Sequence, residues 1–437
     1  MESSVRCRKP KSVGTAGQST SRFGMRAVVN ASALVFAASL TLSIGGFVFH
    51  AIASRRLGVE DYGTLYALIS LMGIAGLPVA IFTPVVTKYA AEFEALHDDG
   101  HMRGLIELIV RACIVGSGLY VVASVLFAVP LAAYLHVATW AIPMVGIVAA
   151  VSAIGNIVRA ISQGIHDYGA FAWSLIGEGV GKVVMLAFFA AVGLTVFGAM
   201  GAYLCAAVTG VVAIALPLFT RYRFILPLPV LLDWKRIFAT TGGAAVVTIT
   251  LTCMGFADVV LVKHFFAPEQ AGLYASASLC GKILLYFVGF VPTILIPQAT
   301  HHHTRGERTR RILWYAIGFL TIVSAAGVLA YHFLGLVLLH VLVGRAFDGA
   351  LPILPTYAAA MAALALSNCL GSYGIATHRL LFVLPLFAVF LGTLAAIAVV
   401  HPSLVVVADE LLVGNLAMVA AVAVPLALQA RRDELRA

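Results

Sequence analysis

Two lysines lie deep inside long apolar runs of this sequence, Lys182 and Lys282. Each lies about 16 Å from the nearer end of its predicted helix, because a helix rises about 1.5 Å per residue. That depth is near the middle of a hydrocarbon layer about 30 Å thick, where an ammonium group costs about 2.5 to 3.5 kcal/mol. Two mobile point charges at one depth could attract an anionic group and release it again. The lysines therefore indicate a site for a mobile anion.

Two carboxylates precede basic residues by four positions, Glu178 before Lys182 and Glu107 before Arg111. This spacing and order favour ion pairs on one helix face. The depth of Lys182 and the glycines beside it favour a functional pair with Glu178, because small residues allow backbone or substrate to come close. Arg111 lies nearer the end of its run, so mutual neutralisation during insertion is the favoured interpretation for Glu107 and Arg111.

The composition places these charges in a membrane. Hydrophobic residues make up 61% of the chain and charged residues 11%, which leaves too little polar surface for a water-soluble globule. We expect an all-α polytopic membrane protein with about 12 transmembrane helices in two homologous six-helix bundles around a central cavity. The predicted spans are 29–53, 63–87, 105–129, 138–162, 171–194, 198–219, 237–260, 271–297, 313–340, 350–375, 380–400 and 408–429.

The distribution of basic residues predicts that both termini are cytoplasmic. The inside segments would carry 21 of the 28 Lys and Arg residues and the outside segments four. We divide the chain into a disordered cytoplasmic tail, an N-terminal bundle, an inner connector along the membrane surface, a C-terminal bundle and a short cytoplasmic tail, at 1–26, 27–220, 221–236, 237–430 and 431–437. Prolines predict bends in the second and eighth helices, at Pro78, Pro84, Pro292 and Pro297.

A repeat relates the two halves. Residues 55–67 (RRLGVEDYGTLYA) and 263–275 (KHFFAPEQAGLYA) each follow a long apolar run, turn over a few polar residues and end in Leu-Tyr-Ala. Leu65 and Leu273 are each followed nineteen residues later by a proline. An internal repeat of this kind predicts a duplicated bundle.

Four further charges lie near helix ends. Arg159, near an inner end, could attract an anion at the entrance or anchor the helix. Arg55 and Arg56 lie at the outer boundary, against the charge rule, and could either receive an anionic head group on exit or pair with nearby carboxylates. Asp258 could belong to the site or pair with Lys263. These alternatives remain open from sequence alone.

Several motifs resemble one family of membrane proteins. They are R-x-L-G-x-x-x-Y-G at residues 55–63, Asp258 at the end of the seventh span, P-E-x-x-G-L-Y-x-x-A at residues 268–277, and G-x-x-F at residues 344–347. The chain resembles the polysaccharide biosynthesis proteins, the lipid-linked oligosaccharide or O-antigen flippases of the multidrug and oligosaccharidyl-lipid exporter superfamily.

The resemblance implies a multi-pass protein of the bacterial inner membrane. Its substrate would be an undecaprenyl-diphosphate-linked oligosaccharide, which it would move from the cytoplasmic to the periplasmic leaflet by alternating access for O-antigen, capsule or exopolysaccharide synthesis. Membrane lipid and a polysaccharide polymerase or export machinery would be its partners. The substrate-binding residues would be the charges above: Lys182, Lys282, Glu178, Arg111, Glu107, Arg159, Arg55, Arg56 and Asp258.

Two other functions remain as alternatives. One is a drug or metabolite exporter of the same superfamily. The other is a membrane glycan polymerase or ligase, which we disfavour because such chemistry is expected to need a large outer loop and every predicted outer connection is short. We therefore do not expect an enzyme.

No cofactor, metal or nucleic acid is expected. The phosphate-binding pattern G-x-x-x-x-G-K-[ST] is absent from the sequence, which argues against direct use of ATP. His301, His302 and His303 are adjacent residues in a polar loop and have no ligand geometry of their own, so we interpret them as solvated.

Overall fold

The computed structural model describes residues 21–222, 226–230, 234–288 and 310–436. Within these ranges the chain forms fourteen α-helices and one short 3-10 helix (Arg345–Ala350), and no strand is assigned. The helices are α1 (Ser21–Ala75), α2 (Leu77–Ala95), α3 (Asp99–Leu126), α4 (Ala128–Leu135), α5 (Ala141–Gly164), α6 (Tyr168–Val192), α7 (Val196–Tyr222), α8 (Trp234–Met254), α9 (Ala257–Phe265), α10 (Pro268–Val288), α11 (Arg310–Leu342), α12 (Leu354–Ala376), α13 (Val383–Val399) and α14 (Leu404–Arg436).

The helices confirm the all-α polytopic fold. In the described ranges, ten helices are long and apolar enough to cross a membrane, and α13 is a shorter apolar helix. Large apolar side chains are exposed along them, including Phe36, Leu126 and Leu384. Water would oppose such exposure, whereas lipid tails do not. The chain is a multi-pass membrane protein.

The first two predicted spans are joined by a shorter turn than we expected. We predicted a polar turn of several residues between them, and within α1 the helical geometry is interrupted there at a single residue, Gly58, where φ is 79° and ψ is −178°. Glycine adopts this left-handed φ without a steric penalty, so the chain changes direction at one residue. The second span is broken again at Gly76, two residues before Pro78, and Pro84 lies inside α2.

Some predicted features fall at or beyond the edges of the described residues. Helix α1 begins at Ser21, so residues 21–26 of the predicted tail are helical. In the inner connector, the backbone N–H of Leu228 donates to the Gly100 carbonyl at 2.9 Å, so this part packs on the start of α3. Pro292, Pro297 and the histidines 301–303 lie outside the described residues.

Two turns between helices repeat the pattern His-Asp-x-Gly, at residues 97–100 and 166–169. Each histidine ends a helix with positive φ, 52° at His97 and 58° at His166. Each aspartate then caps the next helix, with Asp98 accepting from the His101 N–H and Asp167 from the Ala170 N–H, both at 3.0 Å. The His101 backbone N–H holds the pKa of Asp98 below its ordinary value, because it bonds the ionised form.

The two repeat segments pack against each other and join the halves. A Cβ added to Gly63 would lie 2.7 Å from the Gly272 backbone, and one added to Gly272 would lie 2.0 Å from the Val59 carbonyl. Hydrogen bonds also cross here: Lys263 Nζ donates to Thr64 Oγ1 at 2.9 Å, and Arg55 Nη2 donates to the His340 and Val341 carbonyls at 2.9 and 2.8 Å. We call this contact between residues 54–66 and residues 263–278 and 340–347 the seam.

The glycine contact predicts a sharp difference between two substitutions. Gly272→Ala should lower the free energy of unfolding by about 1 to 3 kcal/mol, because the added methyl group cannot fit without moving α1 away from α10. Gly46→Ala is the matched control, since nothing lies within 4 Å of a Cβ at that position. Denaturant titration in detergent micelles measures both. Equal effects of the two substitutions would show that the seam is loosely packed.

Candidate functional site: a buried charge network between the halves

The N-terminal half holds three of the predicted charges in one buried ion-pair network. Glu178 Oε2 lies 2.6 Å from Arg159 Nη2, and Glu178 Oε1 lies 3.0 Å from Lys182 Nζ. Arg159 and Lys182 are buried, with 9% and 8% of their surface exposed. Lys182 Nζ also lies 4.7 Å from the centre of the Tyr203 ring. Two cations share one carboxylate, so the network carries a net positive charge.

Close helix packing positions this network. Arg159 Nε donates to Ser174 Oγ at 2.9 Å, and Ser174 Oγ donates to the Gly210 carbonyl at 2.7 Å. A Cβ on Gly210 would lie 2.8 Å from the Arg159 guanidinium, so glycine leaves the space that the side chain fills. A Cβ on Gly179 would lie 2.8 Å from Leu42 Cα. Gly179, three residues before Lys182, therefore allows α6 to pack against the backbone of α1.

A cleft of about 410 Å³ opens beside Arg159, between α1, α2, α5 and α6. Its polar lining comes from Thr83, Asn156, Arg159 and Gln163, and the rest of the wall is mainly apolar. Arg159 and Gln163 lie in the last turns of α5, at the end of the bundle opposite the seam. The cleft thus combines an apolar wall with one guanidinium group, a lining suited to an amphiphilic ligand.

In the C-terminal half, Lys282 and Asp258 form a second buried pair of opposite charges. Lys282 is 2% exposed, and its ammonium group lies between the Tyr66 and Phe256 rings, 5.1 and 4.8 Å from their centres. Asp258 is 1% exposed and accepts hydrogen bonds through Oδ2 from Tyr274 at 3.1 Å and Tyr357 at 2.7 Å. The other Asp258 oxygen and Lys282 Nζ have no hydrogen-bond partner in the described structure. The charges of Asp258 and Lys282 interact across the space between them.

His50 lies near both charge clusters. Its ring contacts the Tyr66 ring, which lies over Lys282, and the charge of Lys182 also acts on it. The imidazole is buried, and its Nδ1 lies 3.3 Å from the Tyr62 hydroxyl. Both lysines therefore act electrostatically on one histidine. We expected them to line an open cavity, but side chains cover both in this conformation and neither lines the cleft.

The structure places Arg55 and Arg56 away from this network. They line a groove of about 460 Å³ between α1 and α6 near the seam. Arg55 donates to carbonyls at the end of α11 and does not pair with Glu60 or Asp61. The chain turns at Gly344, where φ is positive, so the last carbonyls of α11 have no partner within the helix and can accept from Arg55. Asp258 likewise pairs with tyrosines and not with Lys263, which bonds Thr64.

Glu107 and Arg111, which are also among the predicted cavity residues, lie apart from this network. The Arg111 side chain is 80% exposed on α3, 3.7 Å from Glu107, and Arg103 lies 3.4 Å from the same carboxylate. Helix α3 faces outward from Arg111 onward, so the favoured interpretation of mutual neutralisation fits their position. Among the described residues, no group of three or more His, Cys, Asp or Glu side chains could hold a metal ion.

The fold of this chain is similar to the folds of several solved structures. The chain is similar to an inward-facing multidrug resistance MATE transporter of the MOP superfamily, with a TM-score of 0.75 and 12% identity over 91% of this chain and 97% of that one. It is also similar to a MOP superfamily transporter from Pyrococcus furiosus described as having a binding pocket of reverse polarity, with a TM-score of 0.63 and 15% identity over 92% and 96% of the two chains.

A third similar structure is the MATE multidrug transporter DinF-BH in complex with R6G, with a TM-score of 0.62 and 14% identity over 95% and 98% of the two chains. No protein-family model and no curated protein matches the sequence. The chain thus has the fold of MATE transporters of the MOP superfamily. This is the fold expected for the superfamily that the motifs resemble, and the similar structures do not single out its polysaccharide branch.

Proposed function

We propose that the protein exports an amphiphilic, negatively charged drug or metabolite by alternating access. The observation that carries the proposal is the charge of the interior, where Arg159, Lys182 and Lys282 outnumber Glu178 and Asp258. A surplus cation in a buried site needs a counter-ion, and an anionic substrate supplies one. The similar structures described as multidrug transporters support export of this kind better than flipping of a lipid-linked glycan.

The closed seam and the cleft at the opposite end support alternating access. With the N-terminus cytoplasmic, as the basic residues predict, the seam is extracytoplasmic and the cleft lies on the cytoplasmic side. The conformation would then be open toward the inside. The similarity to the inward-facing transporter, at a TM-score of 0.75, exceeds that to two transporters in a bent conformation, at 0.59 and 0.58.

A second candidate is the flippase for an undecaprenyl-diphosphate-linked oligosaccharide. The motif at residues 55–63 favours it, and the diphosphate is an anion that the same cations could accept. The bacterial inner membrane would be the location in either case, and a polysaccharide polymerase would be a partner only of the flippase. In both cases the substrate should leave chemically unchanged, because the protein is proposed as a transporter and not as an enzyme.

Vesicles with the purified protein test the proposal. We expect transport of an anionic alkylated fluorescein and little transport of cationic rhodamine 6G, because the buried cations attract one and repel the other. Faster transport of the cation would contradict the proposal. Leaflet transfer of a lipid-linked glycan without transport of the anionic dye would identify the flippase. The Glu107→Gln variant is the control, because this residue lies outside the network.

A further inference from the structure

The tyrosines of the two Leu-Tyr-Ala repeats converge on one polar cluster in the C-terminal half. Tyr274, from the second repeat, donates directly to Asp258. Tyr66, from the first repeat, belongs to the N-terminal half, yet its side chain lies over Lys282 on α10, and its hydroxyl interacts with Ser278 on the same helix. Ser278 in turn bonds Tyr357 at 2.8 Å, and Tyr357 donates to Asp258. The first-repeat tyrosine therefore lies against a hydrogen-bonded cluster that belongs to the other half.

Tyr66 also covers Lys282. Its ring lies 5.1 Å from the Lys282 ammonium, and the tyrosine is 4% exposed. The ammonium has no hydrogen-bond partner in the described structure, so the faces of Tyr66 and Phe256 add to the compensation that the Asp258 charge provides. One side chain of the N-terminal half thus supplies a ring for the buried cation of the other half.

We propose that Tyr66 is the plug with which the N-terminal half closes an anion-binding pocket of the C-terminal half, formed by Lys282 beside Asp258. Separation of the halves at the seam withdraws Tyr66, because Tyr66 lies on α1 whereas Lys282 and Ser278 lie on α10. Withdrawal removes a ring from the ammonium and opens it to water or to an anionic substrate group. Tyr66 is then a positioning residue: it decides when Lys282 can meet the substrate.

Competition with Asp258 provides the release step. The free Asp258 oxygen and the Lys282 ammonium are oppositely charged, buried and unpartnered. Once the pocket is hydrated, the carboxylate competes with the substrate anion for the same cation, which keeps binding weak enough for release. Closure returns the ammonium to the Tyr66 ring. The anion-binding part of this inference rests on the proposed function, whereas the plug does not.

Cys280 reports on the plug. It is 0% exposed, lies two residues before Lys282 on α10 and interacts electrostatically with both Tyr62 and Tyr66. In a variant whose other cysteines are replaced by Ala, we expect Tyr66→Ala to raise the rate of Cys280 alkylation by N-ethylmaleimide at least about tenfold, because hydration of the pocket admits the reagent. Tyr66→Phe keeps the ring over Lys282 and should stay within about threefold of the parent rate.

Tyr120→Ala is the matched control, since Tyr120 is a partly buried tyrosine of α3 outside the seam. An unchanged rate in Tyr66→Ala, or an equal rise in Tyr120→Ala, would overturn the plug. If Tyr66→Ala does not fold, Tyr66→Leu replaces it, with the same expected direction because the leucine lacks a π face.

Dodecyl phosphate separates this inference from the proposed function. It should slow Cys280 alkylation in Tyr66→Ala, and this protection should disappear in Tyr66→Ala/Lys282→Gln. If alkylation of Cys280 in Tyr66→Ala is fast and dodecyl phosphate does not slow it, the result would support Tyr66 as the plug and contradict anion binding at Lys282. If the protein transports the anionic dye but Cys280 in Tyr66→Ala is alkylated as slowly as in the parent, the result would support the proposed function and contradict the plug.

Discussion

Glu178→Gln is expected to destabilise the protein by about 3 to 5 kcal/mol. The substitution leaves Arg159 and Lys182 buried together without the carboxylate that both contact at 2.6 and 3.0 Å. Replacing both partners of a buried ion pair by apolar residues costs little, whereas removing only one partner is strongly destabilising, because the remaining charge is buried without compensation. Denaturant titration in micelles measures the loss, and transport of the anionic dye should fall in parallel.

Glu107→Gln is the matched control for this prediction. Glu107 also precedes a basic residue by four positions, but Arg111 is 80% exposed and the pair lies on the outside of α3. Exposed pairs contribute about 0 to 1 kcal/mol, so the effect should be small. A Glu178→Gln variant as stable as Glu107→Gln would mean that Arg159 and Lys182 do not depend on the carboxylate.

Asp258→Asn is the second substitution with a large expected effect. It removes the only buried carboxylate that acts on Lys282 in the described structure and weakens the acceptor for two tyrosine hydroxyls. We expect a loss of about 3 kcal/mol or more, because the Lys282 ammonium then stays buried without an opposite charge. Lys282→Met alone should also destabilise the protein, since it leaves Asp258 uncompensated.

The double variant distinguishes coupling from two independent losses. Asp258→Asn/Lys282→Met removes both charges, so its loss should be smaller than the sum of the single losses by at least about 1 kcal/mol. An additive result would show that the two charges do not interact. Asp348→Asn is the exposed control, because its carboxylate is 53% exposed and bonds His340 near the surface.

Much of the fold follows from the sequence because long apolar runs dictate membrane helices. The twelve predicted spans correspond to helices or to parts of helices in the described ranges, and the duplicated Leu-Tyr-Ala segments meet at the seam. The turn predicted between the first two spans falls at Gly58, but it is shorter than predicted, because the polar residues around it are typical of a longer loop. The non-helical backbone is confined to Gly58, and this glycine supplies the change in direction.

The charges were easier to predict than their surroundings. The cost of a charge in hydrocarbon singled out Lys182, Lys282 and Glu178, and the i, i+4 spacing gave the Glu178 pair. Their partners from distant helices gave no such signal. His50 and Tyr66 resemble ordinary packing residues of an apolar run, and only the approach of α1 to α6 and α10 brings them to the lysines.

The outward position of Arg111 illustrates the limit of spacing. Its relation to Glu107 is the same as that of Lys182 to Glu178, yet one pair faces outward and the other is buried. A single helix face fixes which residues are neighbours, whereas the packing of other helices fixes what that face contacts. The spacing in the sequence predicts which residues are neighbours on a helix, but it does not predict what that helix face contacts.

The most direct test of the buried-cation account is the charge selectivity of transport in Lys182→Gln/Lys282→Gln. In vesicles, the unsubstituted protein should transport the anionic dye in strong preference to an uncharged analogue of the same size. In the double variant this preference should fall about tenfold or more, while the transport rate of the uncharged analogue stays unchanged. Undiminished preference for the anion in the folded double variant would contradict the account.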